Sequence, residues 1–146
     1  MKNILSVINV SKLVDLHDLF YFRSLFNFSE VKKTDLKYLL ETTGENREII
    51  IELIDIFIDQ VSEFNEEFRN LNKLKDFDAL GKLAHKAKSS VAIMGMEKLS
   101  EKLKEFEILA LEGINPEKYP GYINYFMEEC AVATKELNDY KDDMQN

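Results

Sequence analysis

From Asn46 onward the chain alternates between apolar and polar positions with a helical period. Ile50, Leu53, Ile54, Phe57, Ile58, Val61, Phe64, Phe68 and Leu71 recur at three- and four-residue steps, which gathers them on one face of a long helix that Asn46 can cap. A second helix is predicted after Asp76, with Phe77, Leu80, Ala84, Ala87 and Val91 as its buried stripe and a break near Gly95. A third carries Leu99, Leu103, Phe106 and Ala110 and stops at Gly113. The fourth starts between Asn115-Pro116 and Pro120, since proline is tolerated in a first turn, and is expected to bury Tyr122, Ile123, Phe126, Cys130, Ala133 and Leu137. Ahead of these, Thr34-Asp35 can cap a short helix through Glu41, with Gly44 as its left-handed end. Short connections between helices of similar length make sequential neighbours antiparallel. The predicted fold class is all-α, an antiparallel up-down four-helix bundle with a short leading helix.

Residues 1–33 follow no such rhythm. Apolar residues are scattered through SVINVSKLVDLHDLFYFRSLFNF without a stop signal until the polar run Ser29 to Lys33, so 1–33 is read as an N-terminal extension, helix or loose arm, and 34–146 as the bundle. The polar stretch Asp139-Tyr140-Lys141-Asp142-Asp143 is expected to fray.

Composition narrows the function classes. Asp+Glu 27 against Lys+Arg 19 gives a net charge of −8 over 146 residues, which argues against binding nucleic acid through dispersed positive charge. With 45% hydrophobic residues the chain can bury a sizeable core, while Gly 5 and Pro 2 are too few for the many turns of a sandwich or barrel. The single Cys130 forms no internal disulfide and leaves a cysteine-rich zinc site without ligands, so a reducing, cytoplasmic setting is expected. The start, MKNILSVINVSKL, is interrupted by Asn9 and lacks a small-residue cleavage site, and no stretch reaches membrane-spanning length. Neither signal peptide nor membrane contact is expected.

Several chemistries fall away on spacing. A di-iron bundle site needs Glu-x-x-His pairs, but Lys82 precedes His85 by three and Val14 precedes His17 by three. Cys130 lies on an apolar stripe, where core packing outweighs nucleophilic use. His17, among Leu13, Val14 and Phe20 with no lysine one turn on, reads as a packing or surface histidine. No metal site is expected. His85 differs in its neighbours: one turn away on a helix stand Gly81, Lys82, Lys88 and Ser89, with Lys86 adjacent. Because His85 follows core-facing Ala84, the imidazole is placed at the margin of the bundle, beside a shallow gap left by the small residues Gly81 and Ser89. A glycine inside a helix is unfavourable relative to alanine, so Gly81 implies needed space, for helix packing or for access. An imidazole is a nucleophile near neutral pH, and lysines beside it stabilise a phosphoryl group placed on it.

The segment Leu83-Ala84-His85-Lys86-Ala87-Lys88-Ser89-Ser90-Val91-Ala92-Ile93-Met94-Gly95 resembles the signature of histidine-containing phosphotransfer (HPt) domains. His85 matches the phospho-accepting histidine, Lys88 the lysine three on, Ser90 the serine five on, and Gly95 the turn glycine. Ser89 stands where the family usually has glycine and Ala87 where leucine is common. The resemblance runs from Asp35 to Leu137 and leaves 1–33 outside. It implies a module that relays a phosphoryl group between receiver-domain aspartates without kinase activity of its own. The implied partners are a response-regulator receiver domain and a hybrid sensor kinase, and a monomer is expected. No cofactor is expected on this chain, the Mg²⁺ of such relays belonging to the receiver. Lys88 would stabilise charge, and Gly81, Lys82, Lys86, Ser89, Ser90 and Ala92 would form the docking face. In that family a polar residue of the next helix orients the imidazole. With the turn near Gly95, His85 lies roughly 15 Å and Glu107 roughly 18 Å from it at about 1.5 Å per residue, so Glu107 is the candidate. The competing reading is a helical adaptor that binds a receiver or kinase without transferring phosphate.

Overall fold

Asn46 and Asp76 each open a helix by the same device, a side-chain oxygen accepting the backbone N–H three residues on, from Ile49 and Ala79 respectively. The computed structural model describes residues 31–146, of which Lys32–Asn146 forms one unit. Five α-helices follow in order: α1 (Lys37–Thr43), α2 (Arg47–Leu74), α3 (Phe77–Ile93), α4 (Glu97–Glu112) and α5 (Tyr119–Gln145), with a 3-10 turn, Pro116–Lys118, before α5. No strand occurs among the described residues. The fold of this region is all-helical.

The centre of each apolar stripe is what becomes buried. On α2 it is Ile50, Ile54, Phe57, Val61, Phe64 and Phe68, with Leu53, Ile58 and Leu71 half-buried at its edges. On α3 it is mostly small residues, Gly81, Ala84, Ala87 and Val91 beside Leu80 and Leu83, and on α4 Leu99, Leu103, Phe106 and Ala110. α3 packs against α2 and most extensively against α4, and α5 packs against α2 and α4. Phe68 sits at the middle of the aromatic core, its ring 5.9 Å from Phe106 and 5.1 Å from Phe126. Across α2 and α3, Lys86 lies over the Phe64 ring while Ser90 meets Gln60. The register of these pairs turns the outer face of α3, with His85, toward solvent.

The structure departs from the sequence expectations at the ends of elements. α1 starts at Lys37 and runs through Thr43, not from Thr34 to Glu41. Asp35 does accept the Lys37 N–H (3.0 Å), but Thr34 is drawn away: the Lys33 and Thr34 N–H groups and the Thr34 hydroxyl all donate to the Glu136 carboxylate of α5. Tyr122, expected in the core, is half-buried and stacks at 5.2 Å on the Phe106 ring, its hydroxyl donating to Glu105. Tyr119 takes the fully buried place, because the first turn of α5 carries it under Phe77 and Phe106 and its hydroxyl reaches the Leu109 carbonyl at 2.7 Å. The polar tail does not fray. Tyr140 and Met144 pack against the core and Lys141 pairs with Asp55 of α2, which keeps α5 helical to Gln145. The expectations for 1–33, His17 among them, lie outside the described residues over 1–30.

Gly95 is required by two constraints at once. It has φ +69°, and a methyl group there would collide with the Asp35 carbonyl, since the chain before α1 crosses the α3–α4 turn with the Asp35 N–H bonded to the Met94 carbonyl at 3.0 Å.

Truncating Phe68 to alanine removes the ring on which Phe64, Phe106 and Phe126 converge; the expected loss, read from urea unfolding midpoints, is about 3–5 kcal/mol. Burial pushes the Cys130 thiol up to about 12, so native protein at neutral pH should react with a thiol reagent only at the rate at which it opens, and denaturant should restore ordinary reactivity.

Candidate functional site

The site is assembled where α3 and α4 run side by side. Ala84 and Ala87 are fully buried, and His85, turned about 100° from Ala84 on the side away from Ala87, leaves the helix at its margin with 61% of its side chain exposed. From α4, Glu107 follows core-facing Phe106 and is turned into the seam, with 17% of its side chain exposed. Glu107 Oε1 lies 2.7 Å from His85 Nδ1. Lys88, one turn along α3, donates to the other oxygen, Oε2, at 2.8 Å, and its Nζ passes 3.4 Å from Nδ1.

These distances fix the tautomer. An ionised carboxylate only accepts, so Nδ1 carries the proton and gives it to Oε1. That leaves Nδ1 with no lone pair for Lys88, which explains why the ammonium bonds Oε2 instead. The neutral ring then keeps its lone pair on Nε2, the nitrogen on the exposed side. Burial pushes the Glu107 carboxyl up, but the hydrogen bonds from Lys88 and His85 and their charges outweigh it and hold the carboxyl below its ordinary value.

The remaining predicted residues separate into groups. Lys82, Lys86, Ser89 and Ala92 lie exposed along the outer side of α3. Lys82 pairs with Asp78 at 2.6 Å, and Lys86 holds its ammonium 5.6 Å from the centre of the Phe64 ring. The Ser89 hydroxyl donates to the His85 carbonyl at 3.3 Å, within its own helix. Ser90 turns toward α2 and donates to Gln60 Oε1 at 2.9 Å. Gly81 does not border an open gap. It is buried, and a methyl group there would stand 2.7 Å from Leu111 Cγ and 3.1 Å from the Leu111 nitrogen. Its missing side chain is used for helix packing, so it leaves the docking face, and a bulky residue there would part the helices. Two contributors escaped the sequence reading. Gln60 is a polar residue on the flank of an amphipathic helix, and only the pairing of 90 with 60 gives it away; Leu111 looks like the tail of the α4 stripe.

Among the described residues, no group of three or more His, Cys, Asp or Glu side chains is placed to hold a metal ion, and no helix is long and apolar enough to cross a membrane.

A family model for the Hpt domain matches residues 52–139, which span most of α2, all of α3 and α4 and most of α5. The chain belongs to the Hpt domain family. Comparison with curated proteins and with solved structures gives no match. Hpt domains serve histidine phosphotransfer in phosphorelays and interact there with receiver domains. His85 is the histidine of the matched region, His17 lying before it.

A lowered carboxyl contributes stability above its unfolded value and loses it as pH falls through the folded one. Replacing Glu107 by Gln should therefore lower unfolding stability at neutral pH, and the gap to the unmodified protein should close as the solution is taken below the ordinary value of 4.5. A pH-independent gap would mean that the carboxylate charge is immaterial to the network.

Proposed function

We propose that this chain relays a phosphoryl group through His85 between receiver-domain aspartates, in a phosphorelay that also contains a hybrid sensor kinase. The observation that supports this best is the imidazole held by Nδ1–H on Glu107 with Nε2 facing outward. In the forward step the Nε2 lone pair attacks the phosphorus of a receiver aspartyl phosphate. The N–P bond forms, the P–O bond to the aspartate breaks, and the aspartate leaves as a carboxylate. The ring becomes cationic, and the Glu107 carboxylate on its far side balances that charge. Transfer onward is the reverse, with a second receiver carboxylate as nucleophile.

The Lys88 role is charge stabilisation: its ammonium, already 3.4 Å from the ring at Nδ1, is freed from Oε2 to meet the negative charge of the phosphoryl oxygens. Lys82, Lys86, Ser89 and Ala92 form the surface on which the receiver rests, with Ser90 bracing α3 against α2. The Mg²⁺ of the reaction belongs to the receiver. A helical adaptor that merely binds a receiver would have no use for the oriented lone pair, which favours transfer. The packing order α2–α3–α4–α5 and the pairs 64 with 86, 60 with 90 and 85 with 107 support an antiparallel up-down four-helix bundle as the scaffold. Our reading further places residues 34–146 as the transfer domain behind an extension over 1–33, working as a cytoplasmic monomer without metal or other cofactor, apart from nucleic acid and membrane.

Incubation with a phosphorylated receiver should leave an acid-labile, base-stable label on this chain. His85→Gln should abolish it with helicity retained; label persisting at His17 would overturn the assignment. Lys88→Ala should slow transfer or shorten the phosphohistidine lifetime, and an unchanged rate and lifetime would return Lys88 to a purely structural pairing. Ser89→Phe should block transfer from the receiver, because a displacement of about 1 Å from in-line geometry can cost about a hundredfold, while labelling by a small phosphodonor survives.

A further inference from the structure

Inside α3, helix propensity favours alanine over glycine, yet Gly81 occupies an interior, fully packed position. Gly121, also within a helix, has open space where a methyl group would go; at Gly81 that space is filled by the side chain and backbone nitrogen of Leu111. Gly81 precedes His85 by one turn on α3, and Leu111 follows Glu107 by one turn on α4. The contacts 85 with 107 and 81 with 111 are thus adjacent rungs between the same two helices. Since rigid helices move as units, the separation allowed at one rung sets the separation at the next.

We infer that the Gly81–Leu111 contact is a positioning device for phosphotransfer: it holds α4 close enough to α3 for Glu107 to reach His85 Nδ1, and so keeps the lone pair on Nε2. This rests on the proposed role of His85. A methyl group at Gly81 meets Leu111 Cγ at 2.7 Å and Cδ2 at 2.8 Å, well inside ordinary contact, and the Leu111 nitrogen at 3.1 Å, a misfit of a few tenths of an ångström, so the leucine side chain carries most of the strain. The backbone of α4 must shift outward. The 2.7 Å bond from Nδ1 to Oε1 can lengthen by only about half an ångström before it leaves hydrogen-bond range, whereas the flexible Lys88 side chain can follow the carboxylate.

The test compares the unmodified protein, Gly81→Ala, and Gly81→Ala combined with Leu111→Ala, which removes the two side-chain atoms that the new methyl group strikes hardest and leaves only the 3.1 Å approach to the backbone nitrogen. Imidazole ¹⁵N shifts of His85 report the tautomer in unphosphorylated protein, and transfer from a phosphorylated receiver is timed separately. Gly81→Ala should shift the ring away from the Nδ1–H tautomer and slow transfer by about tenfold or more, while the double variant should recover the parental tautomer and most of the rate. Should Gly81→Ala not fold alone, the double variant decides: a parental tautomer supports the device, and an altered one overturns it. Parental tautomer and rate in folded Gly81→Ala overturn it as well. The tautomer measurement needs no phosphotransfer, so a parent that shows the Nδ1–H form but accepts no label sinks the relay reading while leaving the geometric link of Gly81 to His85 judged on its own.

Discussion

The site depends on how closely two helices approach. A glutamate on a Glu/Lys-rich helix is ordinarily a solvated group of little consequence, and a histidine at a helix margin is ordinarily free to turn its ring. Bringing α3 and α4 together on small residues converts the pair into a unit in which one carboxylate uses both oxygens, Oε1 for the ring and Oε2 for Lys88. Desolvation alone would favour the protonated carboxyl; two donors keep it ionised. The charge of Glu107, the tautomer of His85 and the resting place of Lys88 are therefore one property.

The electrostatics of the outer face follow from the same economy of contacts. Three lysines within seven residues suggest a positive patch, but each is already engaged: Lys82 with Asp78, Lys86 over Phe64 and Lys88 with Glu107. Exposed ion pairs such as Lys82–Asp78 are worth little and exchange readily. An anionic group that approaches this face thus meets cations that can change partners without leaving a buried charge behind. The Lys88–Glu107 bond, with both side chains largely buried, is held more firmly than these and parts only for a stronger anion.

The helices were legible because each stripe is centred on residues that can be buried nowhere else, Phe64 and Phe68 on α2 or Phe106 on α4. Element ends were not, since they turn on competition between neighbours: Thr34 abandons the cap for Glu136, and Tyr119 displaces Tyr122 because the first turn of α5 begins beneath Phe77. Within the site, the level of Glu107 with His85 could be read from rise per residue. The meaning of Gly81 could not, for a glycine declares that space is needed without saying which atom fills it, and the filler, Leu111, is 30 residues away in sequence and nearly half exposed. Gln60 is hidden for a similar reason, its partner being settled only by the register of α2 on α3.

His85 and Glu107 are separated by 22 positions in the chain, and Lys88, Gly81 and Leu111 fall on the same two helices, joined by the short Met94–Met96 turn. Contacts this local close at small entropic cost and favour rapid folding. The geometry of the site is thus a property of one helix–turn–helix pair, while the segment before α1 and the far end of α5 contribute through sequence-distant contacts such as Glu136 with Thr34. Lesions in those outer elements shift how much of the protein is folded more than they reshape the site in the molecules that are, so the site should fail by loss of population before it fails by distortion.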